Sequence, residues 1–123
     1  MNIRKIEKKE DERGWLAEFF KGSFLDGRIK GQVYSFSIKP GKERGNHYHK
    51  RKWEWFSIVK GKCSLILESE EEKEEILLDA EKPVVVEVRP SVRHIFRNDH
   101  AEEAIVIAYI DEEFNPDDPD TFR

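Results

Sequence analysis

The amino-acid sequence predicts an all-β fold in a single domain. Its 123 residues are enough for one hydrophobic core and too few for two. Short runs of β-branched and aromatic residues alternate with Gly, Pro, Asn and Asp, and no convincing helical pattern interrupts them. Many short strands at such spacing, without helices between them, are typical of a sandwich or a closed barrel.

Seven segments have the composition of strands. In the first, Tyr34, Phe36 and Ile38 alternate with smaller residues, so these side chains share one face. A Lys-Gly-Lys turn at 60–62 joins two runs as a hairpin, and the charged stretch 68–75 is expected to be a solvated hairpin tip. The predicted strands cover residues 33–38, 53–59, 63–67, 76–78, 84–88, 94–98 and 104–110.

The whole chain, residues 1–123, is interpreted as one domain with its barrel core at about 30–110. The tail, residues 111–123, is acidic and contains Pro116 and Pro119. Because proline cannot donate to a sheet ladder, this tail cannot be a central strand. We expect it to be an extended segment that lies over the barrel or over a partner subunit.

Composition excludes several classes of partner. Acidic residues outnumber basic ones, 26 to 22, and no stripe of Lys and Arg is present, so no nucleic-acid partner is expected. No segment is apolar enough to span a bilayer, and no signal-peptide pattern follows Met1. Cys63 is the single cysteine, which indicates a reducing compartment. The sequence thus predicts a soluble, cytoplasmic protein.

Three histidines and one glutamate stand where their side chains can meet inside the barrel. His47 and His49 are two residues apart, so on a strand both imidazoles point to one face. Glu54 and His94 each lead an otherwise apolar strand face. A buried carboxylate is costly unless a metal ion or nearby histidines compensate it. Together the four suit a first-row divalent ion that keeps open positions for water or substrate.

The spacing of these residues resembles the cupin superfamily. The first cupin motif is matched at all its anchors: Gly41, His47, His49, Glu54 and Gly61. The second motif is matched less completely, because Ser91 occupies the usual glycine position between Pro90 and His94. The resemblance implies a double-stranded β-helix, the jelly-roll barrel.

A longer string resembles a narrower family. Residues 44–49 (Arg-Gly-Asn-His-Tyr-His), then Glu54 and the Val-Lys-Gly-Lys run at 59–62, resemble the C-terminal cupin domain of capsular polysaccharide reductase/epimerases. Those enzymes act on UDP-linked 4-keto-6-deoxy-N-acetylhexoses, and the ending at 114–121 is similar to theirs as well. The resemblance implies a zinc-containing domain that epimerises the sugar at C3, with His47, His49, Glu54 and His94 at the pocket.

A second resemblance implies another use of the histidines. The segment 44–49 and the turn at 61–63 are also similar to sugar nucleotide 3,4-ketoisomerases, in which two histidines act as acid and base without a metal. On this interpretation His47 and His49 are catalytic, whereas Glu54, which that family usually lacks, favours the metal-binding relatives. Both families imply proton abstraction alpha to a ketone. Arg44 is either a clamp for the substrate diphosphate or part of a surface ion pair.

The sequence therefore predicts a metal-binding epimerase or isomerase that acts on a nucleotide-linked 4-keto-6-deoxy sugar in polysaccharide biosynthesis. Two alternatives stay open: a metallocupin that binds a small ligand without turnover, and an iron-dependent dioxygenase. The residues do not select the ion, since such sites also follow metal availability. Zinc is expected from the resemblance, with iron, nickel and manganese as alternatives. No functional role is predicted for four other residues. We expect His100 to be exposed, Cys63 to lie in the core, and Tyr48 and Lys52 to be structural or solvated.

The strand that carries Glu54 also predicts an assembly. Its opposite face presents Trp53 and Trp55, and an exposed aromatic patch usually marks an interaction surface. We therefore expect a homodimer built around these tryptophans. The alternative is that the N-terminal segment, through its aromatic residues at 15–20, folds back and covers them within one chain.

Overall fold

The structure, a computed structural model, describes residues 3–123 and is built almost entirely of β-strands. Apart from one short 3-10 turn, Gly22–Phe24, the regular elements of the described residues are antiparallel strands. The all-β prediction is therefore confirmed. In chain order the strands are β1 (Lys8–Asp11), β2 (Gly14–Lys21), β3 (Gln32–Ile38), β4 (Glu43–His47), β5 (Glu54–Lys60), β6 (Lys62–Glu68), β7 (Lys73–Asp79), β8 (Val86–Val88), β9 (Arg93–Arg97) and β10 (Ala104–Ile110).

The strands form two sheets that enclose one core. The larger sheet has the order β1-β2-β3-β10-β5-β8, and the smaller has the order β4-β9-β6-β7. Phe36 and Phe56 from the larger sheet both meet Phe96 from the smaller one edge-on, with ring centroids 5.2 and 4.9 Å apart. Cys63 is fully buried in this core, as predicted, and burial raises the pKa of its thiol to about 12. Apolar contact between the two inner faces thus holds the sheets together.

Three strands have no counterpart among the predicted segments. Strands β1 and β2 extend the larger sheet from Lys8 onwards, outside the predicted barrel core of about 30–110. Strand β1 is polar and exposed along its whole length, and β4 contains no apolar residue at all. Their sequences lack the apolar alternation by which strands are recognised. Both segments are strands because they pair with a neighbour, β1 with β2 and β4 with β9. Such pairing cannot be recognised from one segment alone.

Other strands begin or end a few residues away from their predicted bounds. The charged stretch 68–75 is mostly strand, because β6 runs to Glu68 and β7 begins at Lys73, which leaves only 69–72 as the hairpin tip. The run at 84–88 is shorter than predicted: only Val86–Val88 pairs with β5, whereas Val84 and Val85 are exposed. Within residues 3–123, no helix is long and apolar enough to cross a membrane.

Trp53, just before β5, and Trp55, within it, are not covered by the N-terminal segment. Strand β2 pairs with β3, and both β3 and β10 lie between it and β5. Trp53 keeps 37% of its surface exposed, while Trp55 is half-buried against Tyr109 and donates its indole N–H to Glu87 at 3.1 Å. The alternative in which the segment around Trp15 shields them within one chain is therefore wrong.

Candidate metal centre

Four side chains converge between the two sheets. His47 ends β4, His49 follows it, Glu54 begins β5 and His94 lies on β9. Each offers one ligand atom, and these atoms all lie within 4.8 Å of one another. The imidazole centroids of His47 and His94 are 4.6 Å apart, and that of His49 lies 5.3 Å from His47 and 5.6 Å from His94. The structure thus brings together the four residues that the sequence predicted as ligands.

An irregular backbone aims the two histidines of the first motif inward. A bulge interrupts the β4–β9 ladder between Gly45 and His47, and Asn46 within it has φ of 63°. Gly45 itself has φ of +86°, and a Cβ there would lie 2.8 Å from the carbonyl oxygen of His94. A glycine is therefore required where β4 approaches β9 so closely. Tyr48, between the two histidines in sequence, stacks instead on Phe122 of the tail, with ring centroids 5.5 Å apart.

Ser91 explains how the incomplete second motif still places His94. It has φ of 70°, the left-handed conformation that a glycine would adopt without strain. Its N–H donates a 2.6 Å hydrogen bond to the carbonyl of His49. The turn geometry is thus kept despite the changed residue, and the loop before β9 is tied to the segment that carries His49.

Glu54 is the hub of the hydrogen bonds in the cluster. Its Oε1 lies 2.6 Å from Nε2 of His49 and 3.4 Å from Nε2 of His94. Its Oε2 accepts a 2.6 Å hydrogen bond from the hydroxyl of Tyr34 on β3. The sequence places Tyr34 on the same strand face as Phe36 and Ile38 but predicts no role for it in the site. The signal available was a polar end on an otherwise apolar face, which usually needs a partner when buried.

Burial and mutual charge set the protonation of these groups. Burial, with the neighbouring histidines, lowers the pKa of His47 to about 3, and burial also lowers the pKa of His94. Burial opposes charge on His49, but its hydrogen bond to Glu54 outweighs this and raises its pKa. Similarly, contact with His49 keeps the pKa of Glu54 below its usual value despite burial. Burial and the charge of Glu54 raise the pKa of Tyr34, so its hydroxyl stays a donor.

The C-terminal tail builds one wall of the site. Its backbone pairs with Tyr48 through Phe122, in both directions at 2.9 Å. The carbonyl of Asp120 lies 2.6 Å from Nδ1 of His49, which fixes the orientation of that imidazole. The carboxylate of Asp120 accepts the backbone N–H groups of residues 50, 51 and 52 at 3.0, 3.1 and 3.2 Å. The extended tail predicted from Pro116 and Pro119 therefore lies over its own barrel.

A cavity of about 230 Å³ reaches the cluster from one side. His49, Glu54 and Tyr34 form its inner end, and Lys52 lies beside them. The N-terminal hairpin and the tail supply the outer walls, through Lys9, Leu16, Glu18, Phe114 and Thr121. The elements that the sequence did not predict, β1 and β2, thus help to define this cavity.

The structure corrects the predicted role of Arg44 and shows His100 at the surface. Arg44 is only 7% exposed: its guanidinium donates to the carbonyl oxygens of Ser37 at 2.8 Å and Trp15 at 3.1 Å, and it stacks over Phe36. Neither a diphosphate clamp nor a surface ion pair describes this residue, which joins β4 to the larger sheet. His100 is exposed, as predicted.

The donor set fits a first-row divalent ion. His47 and His94 are held neutral, the state in which imidazole binds a metal. Nδ1 of the buried His94 has no hydrogen-bond partner in the part of the chain that the structure describes. Three imidazoles and one carboxylate leave positions open for water or substrate on an octahedral ion.

Two antiparallel sheets around an inward His, His, Glu and His set define a cupin domain. The chain belongs to the family described as the polysaccharide biosynthesis C-terminal domain, whose model matches residues 9–122. It is 33% identical over 116 residues to UDP-2-acetamido-2,6-beta-L-arabino-hexul-4-ose reductase of Pseudomonas aeruginosa, covering 91% of this chain and 29% of that protein. The predicted resemblance to capsular polysaccharide sugar-nucleotide enzymes is therefore confirmed.

Solved structures of related proteins have the same fold. The capsular polysaccharide assembling protein CapF of Staphylococcus aureus matches 98% of this chain at 30% identity, with a TM-score of 0.87. This chain spans 32% of that protein. An oxalate decarboxylase of Bacillus subtilis matches 86% of the chain and 28% of its own length, with a TM-score of 0.74 at 19% identity, and supports the fold alone. The chain thus spans about a third of the relatives it matches.

Proposed function

We propose that this domain is a metal-dependent epimerase or isomerase that acts on a nucleotide-linked 4-keto-6-deoxy sugar. The observation that carries the proposal is the convergence of His47, His49, Glu54 and His94 on one centre. Two of these residues, His49 and Glu54, also line a cavity of about 230 Å³. This volume lies below the roughly 300–1,000 Å³ of pockets for drug-sized ligands, and it suits one sugar ring. The reductase relative, named for a UDP-linked hexos-4-ulose, supports the choice of substrate class.

The chemistry required is proton transfer next to a ketone. The C4 carbonyl acidifies the hydrogen at C3, a base removes it, and the developing oxyanion needs stabilisation. A divalent ion, with zinc as our proposal, would supply a Lewis acid at that oxygen. His47, His49, Glu54 and His94 would hold it, while Tyr34 fixes the Glu54 carboxylate through its 2.6 Å hydrogen bond.

The two predicted uses of the histidines compete with each other. A nitrogen that donates its lone pair to an ion cannot accept a proton at the same time. His47 and His49 therefore serve as ligands in a metal-dependent route, or as acid and base in a route without metal. Glu54 favours the first route, because its carboxylate adds a hard anionic donor to the two imidazoles.

Proton exchange in D₂O tests the proposal. The protein is incubated with UDP- and dTDP-linked 4-keto-6-deoxyhexoses, and deuterium uptake at C3 and C5 is followed by NMR. Uptake at C3 that is lost on chelation and restored by zinc supports the metal-dependent route, whereas uptake that survives chelation supports the histidine route. No uptake and no new sugar across the panel would refute both.

Elemental analysis of protein purified without chelators separates this proposal from an oxygenase. Zinc at about one equivalent per chain is expected for the epimerase. Iron, together with oxygen consumption on addition of a ligand, would instead favour an iron-dependent dioxygenase. Bound zinc without turnover of any keto sugar would favour a metallocupin that only binds its ligand.

We further propose that the domain forms a homodimer and works in the cytoplasm. The exposed Trp53 stacks against Trp55 with 6.4 Å between ring centroids, which leaves an aromatic surface on the outer face of β5. Aromatic residues are enriched in the buried cores of protein interfaces. The buried, unpaired thiol of Cys63 suits a reducing compartment.

A further inference from the structure

Lys52 is a buried cation in the wall of the cavity. The residue is only 2% exposed, although lysine is almost never fully buried unless it is paired. Its ammonium donates one 3.0 Å hydrogen bond to the carbonyl of Pro119 and lies 5.9 Å from the centre of the Phe114 ring. Among residues 3–123, no carboxylate lies within the 4.0 Å of its Nζ that defines a salt bridge.

The carboxylates that share the cavity with Lys52 already have other partners. Glu54 contacts His49 and Tyr34, as described above. Glu18 lies 3.2 Å from the ammonium of Lys21 and accepts a 2.8 Å hydrogen bond from the side chain of Gln32. An ammonium that has left water costs free energy unless an anion compensates it. Within the described residues, the ammonium of Lys52 therefore lines the cavity without a carboxylate at salt-bridge distance.

The backbone also holds Lys52 in place. Its own N–H is bound by the carboxylate of Asp120, and its ammonium is bound one residue earlier in the tail, at Pro119. The side chain is thus fixed at both ends, which lowers the entropy cost of binding an anion.

We infer that Lys52 binds an oxyanion of the ligand that enters this cavity. Two sources could supply that chemistry: the diphosphate of a nucleotide, or the sugar oxygen that gains charge when the proton at C3 is removed. The second source rests on the proposed function, whereas the first requires only that an anionic ligand binds. In either case Lys52 touches the ligand and is a binding or catalytic residue of the site.

The test compares Lys52→Met with Lys50→Met in the metal-loaded protein. Lys50 is an exposed neighbour whose ammonium lies over the Phe122 ring at 4.2 Å, so its replacement removes the same charge outside the cavity. Isothermal titration calorimetry measures binding of UDP and of inorganic pyrophosphate. NMR in D₂O measures kcat and KM for C3 exchange in a UDP-linked 4-keto-6-deoxy-N-acetylhexose.

Each source predicts a different pattern. If Lys52 binds the diphosphate, Lys52→Met weakens binding of UDP and pyrophosphate about tenfold or more, since hydrogen bonds to charged groups are of this strength. If it stabilises the sugar oxyanion, UDP binding is unchanged while kcat for exchange falls about 100-fold. Lys50→Met should change neither quantity by more than about twofold. Equal effects of the two variants on binding and on kcat would overturn the inference.

Two further readouts exclude a purely structural role. Burial of the ammonium costs free energy, so its removal should not destabilise the fold. The Lys52→Met variant should therefore have a urea midpoint equal to or higher than that of the wild type. If this variant does not fold, the ¹⁵Nζ resonance of Lys52 in the wild type is followed during the UDP titration instead, and an unmoved resonance counts against the inference. Absence of C3 exchange in the wild type would refute the proposed function. The calorimetric titrations with UDP and pyrophosphate would then still decide whether Lys52 binds an oxyanion. A wild type that neither binds these anions nor exchanges C3 would overturn both.

Discussion

Replacing Asp120 with Asn should loosen the tail and misalign His49 in one step. Asp120 is buried and has φ of 47°, a conformation that Asn tolerates well, so the substitution adds little backbone strain. It removes the charge from an acceptor of three backbone N–H groups, two at Oδ2 and one at Oδ1. The amide oxygen can replace only one of those two carboxylate oxygens. The amide NH₂ must then face a backbone N–H with which it cannot bond.

The size of the effect follows from these contacts. A hydrogen bond to a charged group contributes about 1.5–3 kcal/mol and one to a neutral group about 0.5–1.5 kcal/mol. Two bonds would weaken by about 1 kcal/mol each and the third, of about 1.5–3 kcal/mol, would be lost, so we expect the free energy of unfolding to fall by about 4 kcal/mol. Because the carbonyl of Asp120 orients His49, metal affinity should fall about tenfold as well.

Asp118→Asn is the matched control. Asp118 is exposed and pairs with Arg51, which also keeps its contact with Glu112. Exposed pairs of this kind contribute less than about 1 kcal/mol. Urea unfolding followed by tryptophan fluorescence measures stability, and competition with a chromogenic chelator measures zinc affinity. If Asp120→Asn matches Asp118→Asn in both assays, the tail does not support the site in the way argued above.

Three other outcomes are expected. Replacing His47 and His49 together with Ala should abolish metal binding as measured by elemental analysis, whereas His100→Ala should keep full occupancy; a fully loaded double variant would exclude these ligands. His49 must lose its proton to bind an ion, and its hydrogen bond to Glu54 raises the pKa of His49 above 6.5. Zinc affinity should therefore decline by about tenfold per pH unit as the pH falls below that raised pKa. A titration that is flat down to pH 5 would contradict this sign. Replacing Trp53 and Trp55 with Ser should shift the light-scattering mass of a dimer towards the 14.6 kDa of one chain without loss of metal. An unchanged mass would place the interface elsewhere.

The metal ligands could be predicted because their positions follow from local rules. The two-residue spacing of His47 and His49 fixes their common side, and Glu54 and His94 each stand out as a polar residue at the head of an apolar strand face. Burial of Glu54 and His94 confirms that both faces point inward. The irregular backbone at Asn46 was not foreseen, yet it preserves the outcome because the bulge re-aims the chain towards the same centre.

The groups around the ligands could not be predicted because they depend on contacts that are distant in sequence. Tyr34 meets Glu54 across 20 residues, and the bond between His49 and Asp120 spans 71. Lys52 was expected to be structural or solvated, and its burial arises only when the tail folds over it. Arg44 was misjudged for a related reason: a long cationic side chain beside a predicted site gives no sign of whether it turns outward or lies between the sheets.

The ligand set also has a mechanical consequence, because its members belong to opposite layers of the domain. His47 and His94 lie on the smaller sheet, and Glu54 lies on the larger one. An ion held by all of them would cross-link layers that otherwise adhere by apolar contact and a few hydrogen bonds such as those of Arg44, and it must be released before the layers can separate. Its dissociation rate would then limit how fast the domain unfolds, and an ion that binds only the folded state raises stability by mass action. Metal supply would therefore govern how long each molecule survives proteolysis as well as whether it can react.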